Sequence, residues 1–167
     1  PMDISIITVM DALSHSFESI WNKKANSKST DFAISAICSI LKNIKSLKRR
    51  PSALSVRNNL LSASATAGLA FSNTKTAAAH SMSYPLTIHY GIPHGVASSI
   101  SLIQLLELNG SLIKEPLDRI YSNNELTPDQ LKEAIKSIPL NVIPFKLNKW
   151  GVPKEELPKL ASESFTK

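Results

Sequence analysis

Ile4-Ser-Ile-Ile-Thr-Val-Met-Asp-Ala-Leu-Ser-His-Ser-Phe-Glu-Ser-Ile-Trp21 is the stretch on which the fold turns. Ile7, Met10, Leu13, Phe17 and Ile20 recur at steps of three and four, the period of one face of an α-helix. The same period returns downstream. Thr30-Asp31 reads as the opening of a second helix, with Phe32, Ile34, Ile37, Ile40, Leu41 and Ile44 on its apolar face. Pro51 reads as the start of a third, running through Leu54, Asn58, Leu61 and Ala65 to about Phe71. Nearly all residues from Ser62 to Ala70 are small and would let another backbone approach closely, which puts this helix at the centre of a bundle. A short helical stretch from Thr76 to Ser83 is expected to stop before Pro85, with a loop from Pro85 to Pro93 and one apolar helix from Gly95 to Leu108, ended by Asn109-Gly110. Thr127-Pro128-Asp129 has the form of a helix start, and Pro153-Lys154-Glu155-Glu156 opens a last helix through Leu157 and Leu160. There is little of the alternation a strand requires, no repeat and no long linker. The expectation is one all-α helical bundle domain over residues 1–167.

Composition agrees. The 167 residues are 43% hydrophobic and 19% charged, with 5 Gly and 10 Pro, which excludes a disordered or low-complexity chain. The most apolar run, Gly95 to Leu106, carries Ser98, Ser99, Ser101 and Gln104 and falls short of the roughly 20 residues of a membrane helix, so no membrane is expected. Nothing at the start reads as a signal peptide, since Asp3 precedes the apolar run. Cys38 is the only cysteine, which excludes an internal disulfide and a multi-cysteine zinc site and makes the cytoplasm the expected compartment. The net charge of +6 raises a basic, helical nucleic-acid-binding module as an alternative, through Lys42, Lys45, Lys48, Arg49 and Arg50. Those cations sit at a helix C-terminus, where the backbone dipole favours them, and aromatics for stacking are only 6%. No nucleic acid is expected.

Two constellations carry chemistry. Asp11 and His15 stand one helical turn apart, with Cβ atoms about 5–6 Å apart, close enough to share a metal ion. His80 ends an apolar stretch and His94 opens the next, across a segment shaped by Pro85, Gly91 and Pro93. Either histidine alone reads as a core residue; the two together favour metal ligation. Asp11, His15, His80 and His94 form a set of one carboxylate and three imidazoles, which leaves a divalent ion a net +1. Catalytic zinc keeps three protein ligands, whereas four plus a substrate oxygen suit an ion comfortable with five or six, such as Fe²⁺; Zn²⁺ stays open. Glu18, one turn beyond His15, reads as a capping or pairing residue of the bundle rather than a catalyst.

Asp11-Ala-Leu-Ser-His15-Ser-Phe-Glu18, Arg57-Asn-Asn-Leu-Leu-Ser-Ala-Ser, Ala67-Gly-Leu-Ala-Phe71-Ser-Asn73, His80 and Pro93-His94-Gly95 follow one another in order. This series resembles the C-terminal domain of the iron-containing (group III) alcohol dehydrogenases, specifically from about residue 1 to 110 and more loosely to the end. The resemblance implies the all-helical, dehydroquinate-synthase-like architecture, with Asp11, His15, His80 and His94 as the metal ligands. It implies metal-assisted hydride transfer between an alcohol and an aldehyde, with Fe²⁺ or Zn²⁺ as Lewis acid, NAD(P)H held mainly by an N-terminal dinucleotide domain that this chain lacks, and a homodimer.

Many members carry a further histidine four residues beyond the His80 position, where this chain has Tyr84. Tyr84 reads either as a substrate contact or as a buried structural tyrosine, and His89 either as a substrate contact or proton relay or as a solvent-facing residue. Ser83-Tyr-Pro-Leu-Thr87 with Gly91-Ile-Pro-His-Gly95 is most similar to members that reduce phosphonoacetaldehyde. The chain alone is expected to bind metal without turnover. A metal-dependent structural or dimerisation domain, without catalysis, is the other alternative.

Overall fold

The computed structural model describes residues 1–165. Helices α1 (Met2–Trp21), α2 (Ser27–Arg49) and α3 (Leu54–Thr74) form an antiparallel trio joined by short turns. Helices α4 (Ala78–Tyr90), α5 (His94–Ala97) and α6 (Leu102–Asn109) follow. A 3₁₀ turn (Gly110–Ile113) leads into α7 (Lys114–Asn124), then come α8 (Pro128–Ser137), two more 3₁₀ turns and α9 (Leu157–Ser164). No strand occurs among the described residues, as the helical period requires.

The hub is α1, not α3. Helix α1 packs against α2, α3, α4, α5 and α6, and Ile6, Met10, Leu13 and Phe17 are fully buried. Each such side chain contributes about 1.5–3 kcal/mol by leaving water. Among its apolar residues helix α3 buries Val56, Leu60, Ala63, Ala67 and Ala70; Leu54, Leu61 and Leu69 on its other side face out. Its run of small residues therefore serves one-sided packing on α1 and α2 rather than a central position. A smaller second core, Leu86, Ile92, Val96, Ala97, Val152 and Leu160, joins α4, α5 and the C-terminal segment.

Several boundaries differ from the sequence expectation, each for a local reason. Helix α2 begins at Ser27 because Asn26 forms a reciprocal cap, its Oδ1 accepting from Ser29 N–H while its own N–H donates to Ser29 Oγ, both at 3.0 Å. Pro51 lies in a turn before α3. Helix α4 runs through Pro85 instead of stopping ahead of it. A proline inside a helix costs about 3 kcal/mol and the bond to the carbonyl four residues back. Here Pro85 and Leu86 are buried and α4 packs along α9, so tertiary burial offsets that loss. Gly91, at φ +64, closes α4 in the left-handed conformation, donating its N–H to the Thr87 carbonyl at 3.0 Å. The expected single helix from Gly95 to Leu108 is split, because the Ser98 carbonyl is taken by Ser14 Oγ at 2.6 Å and the chain turns through residues 98–101.

By length and mean hydropathy, 1.4, the helical run His94–Asn124 reaches the range of a membrane span, which the sequence reading set aside. It is nonetheless broken at 98–101 and at the 3₁₀ turn, and it buries Val96, Leu102, Leu106, Ile113 and Ile120 against the bundle. The basic end of α2 also has an internal use: Lys48 Nζ donates to the carbonyls of Ser137 (2.7 Å) and Leu140 (3.2 Å), satisfying the end of α8.

Candidate metal centre

The helices bring the four sequence-selected groups to one place. Asp11 and His15 leave α1 one turn apart, with Oδ2 of Asp11 3.5 Å from His15 Nε2. Helix α4 delivers His80, whose Nε2 stands 3.5 Å from Asp11 Oδ1. The start of α5 delivers His94, whose Nε2 is 3.7 Å from the same oxygen. One donor atom each from Asp11, His15 and His80 lie within 4.8 Å of one another. The His15 and His80 rings stack at 4.2 Å, and His94 stands 5.3 Å from His80 with its ring tilted by 54°.

Close helix approach makes this possible. A Cβ added to Gly95 would collide with the Ile7 carbonyl and come within 3.1 Å of Asp11 Cβ. Glycine at this position thus lets the start of α5 pass against α1 and sets His94 beside Asp11.

A shell of further side chains holds the four groups. Ser98 Oγ donates to Asp11 Oδ1 at 3.0 Å. Phe71 stacks on His15 with ring centroids 4.0 Å apart. Ser83 Oγ donates to the His80 carbonyl at 2.7 Å and lies 3.4 Å from His94 Nδ1. Glu18, fully buried, accepts from the N–H groups of Ala79 (2.7 Å) and His80 (3.3 Å), and its other oxygen meets His80 Nδ1 at 2.5 Å. Glu18 therefore caps and pairs within the bundle, as its position beyond His15 suggests. Its partner is a member of the histidine cluster, and no local spacing announces that. Ser98, Ser83 and Phe71 were likewise not singled out for this role, since their contacts cross between helices.

The donor set fits a divalent ion. Ligand atoms about 2.1 Å from one ion stand roughly 3–3.5 Å apart. The observed carboxylate–imidazole separations of 3.5, 3.5 and 3.7 Å are within a few tenths of that spacing. His80 Nε2 is buried without a hydrogen-bond partner, a costly state for a polar atom unless something else engages it. Without a metal, the groups lean on one another electrostatically. Burial pushes the Asp11 carboxyl up, but the adjacent imidazoles of His15 and His80 and the Ser98 hydroxyl outweigh it and hold Asp11 well below the usual carboxylate range. Burial pushes the His80 imidazole down, and the carboxylates of Asp11 and Glu18 outweigh it, raising it to about 9.

The access side is set by exposure: the His80 side chain is 3% exposed, His15 15%, Asp11 29% and His94 44%. Tyr84 sits on that open side, its ring 6.4 Å from His94, and is exposed rather than buried. His89 is not brought to the cluster. It lies nine residues beyond His80, about 13 Å along α4, and its Nε2 pairs with Glu163 of α9 at 2.8 Å.

Residues 5–167 match the model of the Fe-containing alcohol dehydrogenase family, C-terminal part. The chain belongs to the iron-containing alcohol dehydrogenase family. It is 32% identical over 174 aligned positions to the 1,3-propanediol dehydrogenase of Klebsiella pneumoniae, spanning 96% of this chain and 44% of that protein. A solved 1,3-propanediol oxidoreductase superposes with a TM-score of 0.90 at 27% identity, covering 100% of this chain and 46% of the other. The sulfoacetaldehyde reductase of Bifidobacterium kashiwanohense, solved in complex with NAD+, gives 0.87 at 27% identity, covering 99% and 45%. The chain thus spans a little under half the length of these relatives, and corresponds to the C-terminal part of the family.

Proposed function

We propose that Asp11, His15, His80 and His94 ligate one divalent ion, Fe²⁺ or Zn²⁺, and that this domain forms the metal half of an NAD(P)-dependent alcohol dehydrogenase acting on a small alcohol and its aldehyde. The observation that carries the reading is the convergence of three imidazoles on one carboxylate, with His80 Nε2 buried and partnerless 3.5 Å from Asp11. When bound, the ion supplies Lewis acidity that polarises the oxygen of the alcohol or aldehyde.

The chain's own residues prepare the place. Ser98 fixes one Asp11 oxygen by hydrogen bonding, so the carboxylate presents a defined edge to the histidines. Phe71 covers His15 and keeps water from that flank. The exposed edge of His94 leaves one side open, and Tyr84 beside it offers a phenol to a substrate's polar head. NAD(P)H, held by residues other than these, would supply the hydride-transfer chemistry, in keeping with the similarity to a reductase solved with NAD+. Phosphonoacetaldehyde is the specific aldehyde that the Tyr84 segment suggests; comparing rates with it and with 1,3-propanediol in the protein that includes the nucleotide-binding part separates the branches.

The direct test is cobalt(II) titration of the metal-free chain. One ion per chain is expected in the wild type, with uptake lost in Asp11→Ala and His80→Ala variants that keep their helical circular dichroism. Unchanged uptake in both variants would refute the ligand set.

A further inference from the structure

We infer that Glu18 is a positioning residue that fixes the tautomer and direction of His80, so that its Nε2 lone pair faces the Asp11 centre; this rests on the ligand set proposed above. Ala77, at the N-cap position just before α4, has no side chain able to cap the helix, and no local cap is made. The missing cap comes from α1. One Glu18 oxygen accepts the N–H groups of Ala79 and His80, which pins the carboxylate and the first turn of α4 to each other. The second oxygen is then left 2.5 Å from His80 Nδ1. A carboxylate only accepts, so Nδ1 must carry a proton. In the neutral ring this leaves Nε2 bare, and Nε2 is the buried atom without a hydrogen-bond partner that faces Asp11.

The same carboxylate thus sets the entry of α4, the rotation of the His80 ring and the nitrogen that is free to ligate. A histidine that donates its second N–H to a carboxylate is also a more basic ligand. The charge count changes as well. Asp11 alone leaves a divalent ion at +1, whereas Asp11 together with the fully buried Glu18 balances it. Such balance holds the ion more tightly at the expense of some Lewis acidity.

Glu18→Gln separates positioning from simple capping. The amide oxygen can still accept from Ala79 and His80, so the cap and the side-chain volume are retained. The amide NH₂ then occupies the place of the second oxygen and faces Nδ1 as a donor. Turned the other way, the NH₂ would confront two backbone N–H groups. His80 must therefore accept at Nδ1 and carry its proton on Nε2, which removes the lone pair aimed at Asp11.

The experiment combines cobalt(II) affinity with side-chain ¹⁵N spectra of His80, recorded on the metal-free chain in alkaline solution where the ring is neutral. Wild type is expected to show the proton on Nδ1 and Glu18→Gln the proton on Nε2, with cobalt affinity about 10–100-fold weaker in the variant. Equal cobalt affinity in two well-folded proteins, or the same tautomer in both, overturns the inference. If wild type takes up no cobalt, the ligand set fails, and the tautomer switch alone still decides the role of Glu18. If Glu18→Gln does not fold, a wild-type His80 protonated on Nε2 overturns the inference, and one protonated on Nδ1 supports it.

Discussion

Helix α4 carries two histidine–carboxylate pairs of the same chemistry, one at each end. At its start His80 meets Glu18 with side chains 3% and 0% exposed; near its end His89 meets Glu163 with 45% and 35% exposed. The distances, 2.5 and 2.8 Å, differ little. The surroundings differ in kind. Glu18 has exchanged all its water for fixed donors on α4, and His80 faces a second carboxylate, Asp11, across its other nitrogen. His89 and Glu163 keep contact with solvent, which screens their attraction. Burial, rather than pairing, is what sets His80 apart from His89, and on the proposed ligand set it is what prepares His80 to ligate.

Removing the imidazole at the buried end should have the largest effect. His80→Ala leaves the Glu18 carboxylate buried with only backbone N–H partners. Deleting one member of a buried ion pair typically costs about 3–5 kcal/mol. The metal-free variant should show a correspondingly lower denaturant midpoint with an unchanged slope. A midpoint close to wild type would mean that Glu18 takes up a proton or finds water, and the buried end would then resemble the exposed one.

A smaller effect is expected from pH, again in the metal-free chain. The His80 imidazole is raised from its ordinary 6.5 to about 9 in the folded state, so its contribution to stability is fully present below about pH 6.5. That contribution is lost as pH rises through about 9. Asp11 has the opposite sign: held below its ordinary 3.8, it contributes above that value and loses the contribution in acid. Thermal midpoints across the pH range should therefore form a plateau that falls on both sides, and His80→Ala should remove the alkaline fall. An alkaline fall of equal size in His80→Ala would assign it to other groups.

The two ends were unequally legible in the sequence. Asp11 and His15 share a helix, so their spacing alone puts them one turn apart. The all-helical class was as plain, because the three- and four-residue steps through Ile7, Met10, Leu13, Phe17 and Ile20 admit little else. His80 and His94 were readable as candidates through the prolines and glycine between them, but the path of the segment was not. Pro85 reads as a helix stop on local grounds, and only packing on α9 carries α4 through it. Similarly, the break at Ser98 depends on Ser14, far away along the chain, taking its carbonyl. Glu18 was legible as a pairing residue but its partner was not, since that contact exists only once α4 has docked on α1. His89 reads from the sequence either as a substrate contact or proton relay or as a solvent-facing residue. Nothing in the spacing says that α9 will offer it Glu163 at a distance from the other histidines.

The exposed pair should respond least. His89→Ala removes a contact that joins α4 to α9, yet both side chains are more than a third exposed. Pairs of that kind contribute about 0–1 kcal/mol, and added salt reduces even this. Helix α9 remains attached by Leu160, buried with Leu86 and Val152 in the second core. The midpoint should therefore shift by no more than about 1 kcal/mol and less in high salt, with cobalt uptake as in wild type. A large loss of stability would show that the α4–α9 contact, and with it the passage of α4 through Pro85, hangs on this pair rather than on the apolar residues beneath it. A loss of cobalt uptake without a loss of stability would place His89 at the metal after all, through a movement of the end of α4. Equal uptake confines the chemistry to the buried end.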